Sequence, residues 1–227
     1  MEEIIDFLRR LSENNDRAWF DAHRAEWTYV RGQVANLAAR LIDGIGSFDP
    51  AVRGLRPQDC TYRIARDTRF SHDKTPYKNW IGVFVAPRGK KSGYAGYYLH
   101  LSPVEDTLIG GRHMLISGLY CPEGAVLRSV RDEIFDNGAG FLDAVAAARG
   151  FELDRRNSLK RTPQGFPSGS EYDDLLRLKE FCIARPVDET FLSGDDAPDR
   201  IVEEFRRTHP FVDLLNRAVR YAYEEMM

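Results

Sequence analysis

Between residues 60 and 121 the apolar side chains recur at every second position in short runs, and on either side they recur every third or fourth. A period of two lines one face of a strand and a period near 3.6 lines one face of a helix. The chain must therefore place a sheet between two helical regions. Ile4, Phe7, Leu8 and Leu11 mark a first short helix. After SENND, where Asn14 and Asn15 are cap candidates, Phe20, Trp27, Val30, Val34, Leu37, Leu41 and Ile45 predict one long helix over 16–45,. The GIGSFDP stretch stops it,.

Five segments of the middle region read as strands: CTYRIAR (60–66), WIGVFVA (80–86), YAGYYLHL (94–101), DTLIGG (106–111) and LISGLYC (115–121),. The connections are short, which suits antiparallel pairing, because a parallel crossover needs a dozen or more residues. Beyond Pro122 two helical patterns follow, through Leu127, Val130, Ile134 and Phe135 and through Phe141, Leu142 and Val145. SLKRTPQGFP (158–167) reads as a loop, YDDLLRLK (172–179) as a helical turn or two, and EFCIARPV (180–187) as a strand. A terminal helix after Pro198 should kink or split at Pro210,. The expectation is one α+β domain over 1–227: helices over about 2–46, a mainly antiparallel sheet of about five to six strands drawn mostly from about 60–121, and a mixed region over about 123–227,.

Thirty-two basic against 35 acidic residues give a net charge of −3. That disfavours a general nucleic-acid or acidic-membrane binder and leaves room for a local patch. Cys60, Cys121 and Cys182 form no CxxC pair and read as buried reduced thiols,. His23, His72, His113 and His209 show no metal spacing, so neither metal nor cofactor is expected,. No apolar run reaches membrane-spanning length and the acidic start is unlike a secretory signal, so the cytoplasm is the expected address,.

The densest chemistry lies in YRIARDTRFSHDKTPYK (62–78), where Arg63, Arg66, Arg69, Lys74 and Lys78 share the run with only Asp67 and Asp73. A like-charge pair at about 4 Å costs about 4 kcal/mol at an effective dielectric near 20. Folded-in acids or a bound anion must offset that, and both readings stay open. Strand alternation puts Arg63 and Arg66 on opposite faces, so they share a site only if a bulge re-aims Arg66. Asp67 and Asp73, set amid cations, read as structural carboxylates with depressed pKa. Lys160 and Arg161 form a second basic cluster that could wall the same pocket. In YYLHL the alternation sets Tyr98 and His100 opposite Tyr97, Leu99 and Leu101, and on this reading His100, Tyr98 and Phe84 share the outer face with Arg63,.

The run YRIARDTRFSHDKTPYKNWIG, with FLRRLSENNDRAWFDAHRAEW before it and LKRTPQGFP, LLRLKEF and HPFVDLLN after it, resembles the domain-of-unknown-function family 2461. The resemblance covers essentially the whole chain and implies an α+β fold with no established activity. Ala65, His72, Gln164 and SEYDD depart from the family's usual residues.

The expected function is binding of a small phosphate- or carboxylate-bearing ligand by Arg63, Arg66, Arg69, Lys74 and Lys78, with Lys160 and Arg161 opposite. Tyr77 or His100 is the candidate proton donor, acting through positioning and charge neutralisation because no nucleophile motif is visible. Two alternatives use the same residues: a nucleic-acid or phosphoprotein module, and a structural protein whose arginine loop is internally paired.

Overall fold

The fold is taken from a computed structural model that describes residues 1–69, 72–106 and 109–225. In chain order come α1 (Glu2–Glu13), α2 (Arg17–Ala22), α3 (Arg24–Gly46), a 3₁₀ turn (Pro50–Val52), α4 (Pro57–Cys60), β1 (Ile81–Val85), β2 (Gly96–Leu101) and β3 (His113–Leu119). Then follow α5 (Gly124–Ala147), β4 (Glu152–Leu153), α6 (Asp173–Leu176), β5 (Phe181–Val187) and α7 (Ala197–Glu225). The strands form one antiparallel sheet in the order β1-β2-β3-β5-β4, so the fold is α+β with helices at both ends.

Alternation sorts the sheet into two unlike faces. Val83 lies opposite Leu99, and Leu99 opposite Leu115, so Ile81, Val83, Val85, Tyr97, Leu99, Leu101, Leu115, Leu119, Phe181 and Ile183 project to one side, all buried. There α7 packs against β3, α3 and α5. Phe141 of α5 meets both Phe181 and Phe211, with centroids 6.2 and 5.4 Å apart, and Tyr97 meets Phe205 at 5.6 Å. Burying each such aromatic contributes about 1.5–3 kcal/mol. The Tyr97 hydroxyl keeps polar partners inside this core, 3.0 Å from Asp49 Oδ2 and 2.9 Å from His209 Nδ1. The opposite, outer face carries Phe84, Tyr98, His100, Met114, Ile116, Cys182 and Ala184.

Five departures from the expected elements have local causes. The long helix over 16–45 is two: Asp16 caps α2 by accepting from Trp19 N at 2.9 Å, and the chain turns at His23 (φ −105°, ψ 17°) before α3. The expected strand 60–66 forms only two bridges, Thr61 with Val83 and Ala65 with Tyr77, because α4 ends at Cys60. Segment 106–111 makes a single bridge between Asp106 and Gly111, and its Thr107 and Leu108 lie outside the described residues. The two patterns after Pro122 merge into α5, kinked at Asn137 (φ −141°, ψ 44°), whereas α7 runs through Pro210 without splitting. Cys121, expected buried, is exposed, its Sγ 3.1 Å from Glu180 Oε1; all three cysteines are free thiols.

Candidate functional site

The cation-rich run folds back on itself. Arg66 pairs with Asp73 and Thr75, while Arg69 grips Asp67 through Nε at 3.0 Å and Nη2 at 2.7 Å. Lys74 Nζ donates to the Thr68 carbonyl at 2.9 Å. Arg66 beside it holds the Asp73 carboxyl down at about 2, and the Arg69 side chain lowers Asp67. The loop's own aspartates thus answer Arg66 and Arg69, as expected of carboxylates amid cations. As clamp residues for an outside anion, Arg66, Arg69 and Lys74 are therefore already engaged.

Tyr77 points the other way. Its ring stacks on Phe20 of α2, centroids 3.9 Å apart, and its backbone is held on both sides by Asn15, at 3.0 and 3.1 Å. Packing against α2 removes it from the company of His100. Lys160 and Arg161 also lie elsewhere. Their exposed segment follows β4, the far edge of the sheet, and is tied to Leu178 and Arg177, while Phe166 packs on Phe135 and Arg128 of α5. The cation run lies beside β1, at the other end of the strand order. No hydrogen bond, ion pair or ring contact joins the two segments among the described residues. Among the described residues, no contact joins them as opposite walls of one pocket.

Three cations of the run keep no carboxylate partner among the described residues, Arg63, Lys74 and Lys78, and of these Lys74 is engaged by the Thr68 carbonyl. Thr61 bridges to Val83, so alternation sends Tyr62, rather than the expected Arg63, to the outer face. The Tyr62 ring meets Trp80 at 6.4 Å, and Lys78 Nζ stands 4.6 Å from the Trp80 centroid and 5.5 Å from that of Tyr62. Lys90 Nζ approaches the same Tyr62 ring at 5.8 Å. Burial lowers the Lys78 pKa, and the nearby charge of Arg63 lowers it further. Both effects disfavour the ammonium, and a nearby negative charge would offset them.

Beneath Trp80 lies His100, fully buried, with ring centroids 5.4 Å apart. Its Nδ1 is 3.0 Å from the Tyr98 hydroxyl. Its Nε2 is buried with no hydrogen-bond partner among the described residues and faces Asp106 Oδ2 at 3.8 Å, too far for a hydrogen bond,. Burial holds His100 down at about 4, against a weaker upward pull from Asp106, and drives Tyr98 up. Both side chains are neutral near pH 7. Gly82, paired with His100 across the strands, makes room for this arrangement, since a Cβ there would lie 2.6 Å from the Tyr98 hydroxyl.

The outer face therefore brings together Lys78, the rings of Tyr62 and Trp80, and the polar side chains of Tyr98, His100 and Asp106, while Arg63 reaches Lys78 only through its charge. Sequence reading found Lys78, Arg63 and His100 and missed Trp80, Lys90 and Asp106. The alternation in YYLHL already paired Tyr98 with His100, but nothing local ties Asp106, from a connection, to His100. A surface cleft of about 380 Å³ beside α1 and α3 is lined by Glu2, Glu3, Asp6, Glu26, Tyr29 and Val30, and such walls repel anions,. No described helix is long and apolar enough to cross a membrane.

This is an α+β protein whose helices cover one sheet face and whose other face gathers aromatic, cationic and imidazole groups. The chain belongs to the conserved hypothetical protein family DUF2461, whose sequence model matches residues 3–214. No curated protein and no solved structure matches it.

Proposed function

We propose that the outer sheet face binds a small phosphate- or carboxylate-bearing anion, with Lys78 as its charge contact, the nearby charge of Arg63 adding to the attraction, and Tyr62 and Trp80 as its walls. The observation that carries this reading is Lys78: half-buried, beside a second cation, and held against rings with no carboxylate among the described residues. A desolvated ammonium in that setting gains more from a counter-ion than a solvated one does. Arg66, Arg69 and Lys74 serve the site indirectly, because their internal pairs hold the loop that carries Lys78. Net acidity and the small number of unpaired cations favour a small anion over a nucleic-acid strand, which is gripped by many phosphate contacts,.

Thermal unfolding in a phosphate, sulfate and acetate series tests the reading. A ligand at 100 times its dissociation constant adds about 2.7 kcal/mol, which raises the midpoint of a chain this long by about 5–10 °C. Lys78→Ala should abolish that rise, and Arg69→Ala should keep it. A flat series, or a rise that survives Lys78→Ala and disappears in Arg69→Ala, would reject the assignment.

A further inference from the structure

We infer that Lys78 is a nucleophilic amine, and that the anion taken by this face carries an aldehyde or keto group with which Lys78 condenses to an imine. This rests on the anion-binding reading above and names the reactive group of its ligand. The chain has six lysines, and Lys78 is set apart from the other five. Lys74 and Lys90 donate to the carbonyls of Thr68 and Gln58, at 2.9 and 2.5 Å. Lys91, Lys160 and Lys179 are exposed to water. Lys78 alone is part-buried with neither a carboxylate nor a hydrogen-bond acceptor among the described residues.

The surroundings of Nζ suit a nucleophile. It stands 4.6 Å from the Trp80 centroid and 5.5 Å from that of Tyr62, two rings set at 69° to each other, so the partners it has are rings. Unlike His100 Nε2, it is not sealed from solvent, so a small solute reaches it. No described bond to an acceptor must break before its lone pair is free. The charge of Arg63 acts in the same direction as burial and favours the neutral amine. Lysines desolvated against apolar groups or set beside a second cation are the activated ones.

The condensation balances without a further reactant. The neutral amine adds to the carbonyl carbon, forming the C–N bond, and one amine proton moves to the oxygen. A second proton, from solvent, lets that oxygen leave as water as the C–O bond breaks. The iminium product carries one positive charge, as the ammonium did, so it keeps the attraction of both rings. With Arg63 nearby it also attracts a carboxylate or phosphate placed close to the carbonyl, an attraction that a neutral carbonyl compound lacks,.

Reductive trapping on the full chain tests this, because sodium cyanoborohydride converts an imine to a stable secondary amine. Pyruvate and glycolaldehyde phosphate are the carboxylate and phosphate probes, with acetone and acetaldehyde as their neutral controls. Peptide mapping by mass spectrometry should place the label of at least one probe on Lys78, about tenfold or more above each other lysine and above the matching control. Pyruvate over acetone identifies an oxo acid, and glycolaldehyde phosphate over acetaldehyde a phosphorylated aldehyde. The labelling rate of Lys78 should rise with pH through a midpoint below the ordinary lysine value of about 10.5, and Arg63→Ala should move that midpoint upward,. Label spread evenly over the six lysines, equal label from probe and control, or no label overturns the inference. An ordinary midpoint that Arg63→Ala leaves unmoved does the same. In each of these cases a rise of the unfolding midpoint with phosphate or acetate leaves the anion site standing, and a flat series removes both.

Discussion

Asp73 illustrates how single residues answer the charge problem posed by the 62–78 run. Two aspartates among five cations leave a formal surplus, and the fold assigns them locally: Asp73 to Arg66 and Asp67 to Arg69. The same assignment predicts a pH response. The folded carboxyl of Asp73 titrates at about 2, below the ordinary value near 3.9 that the unfolded chain would show,. Its stabilising effect is therefore complete above about pH 5 and is lost as pH falls toward 2. A ¹³C titration should find the Asp73 midpoint near 2 and return it toward the ordinary carboxylate value in Arg66→Ala. A normal midpoint in the unsubstituted protein would show that the pair does not persist in solution. The residues of this loop were legible in the sequence, as was the structural role of the two acids. Which cations stay unpaired was not, because Lys78 owes its state to burial against Tyr62 and Trp80 rather than to its sequence neighbours.

At the scale of elements, the strands of the sheet were readable wherever alternation ran for five or more residues, as in YAGYYLHL, because one face had to be apolar throughout. Segment 60–66 has the composition of a strand but starts inside α4, and only Thr61 and Ala65 find bridge partners. The single helix expected over 16–45 breaks at His23 because the Asp16 cap starts a six-residue helix whose Phe20 must reach both Phe7 and Tyr77. Gly82 joins element to site. In Gly82→Ala the new methyl would meet the Tyr98 ring and hydroxyl at 2.6 Å, push that ring aside and break its bond to His100. Overpacking of this kind costs about 1–3 kcal/mol, measurable as a lowered urea midpoint with an unchanged slope. Tyr98→Phe, which removes the bond and keeps the ring, should cost less, about 1 kcal/mol. Equal stability of Gly82→Ala and the parent protein would mean that the outer face is looser than its contacts imply.

Over the whole molecule, two histidines buried at one end of the sheet link stability to pH. His100 is held at about 4 by burial, and burial with the neighbouring Arg112 also lowers His113. In the unfolded chain both would take up protons near the ordinary imidazole value of about 6.5. The unfolded state therefore binds more protons between that value and 4, and stability falls as pH drops through this window. His100 alone accounts for a loss on the order of 3 kcal/mol by about pH 4, at 1.36 kcal/mol per pKa unit,. Urea unfolding at about pH 7 and pH 4.5 should show the lower midpoint in acid, and equal midpoints would place both rings in water.

The amino-acid sequence determined the succession of helix, sheet and helix, the antiparallel pairing and the density of cations before β1, because periodicity and charge are properties of neighbouring residues. The division of those cations into paired and unpaired, the separation of Lys160 and Arg161 from the others, and the meeting of His100 with Asp106 were decided only by tertiary structure. Each depends on which residues distant in the chain become neighbours, and strand order and burial set that.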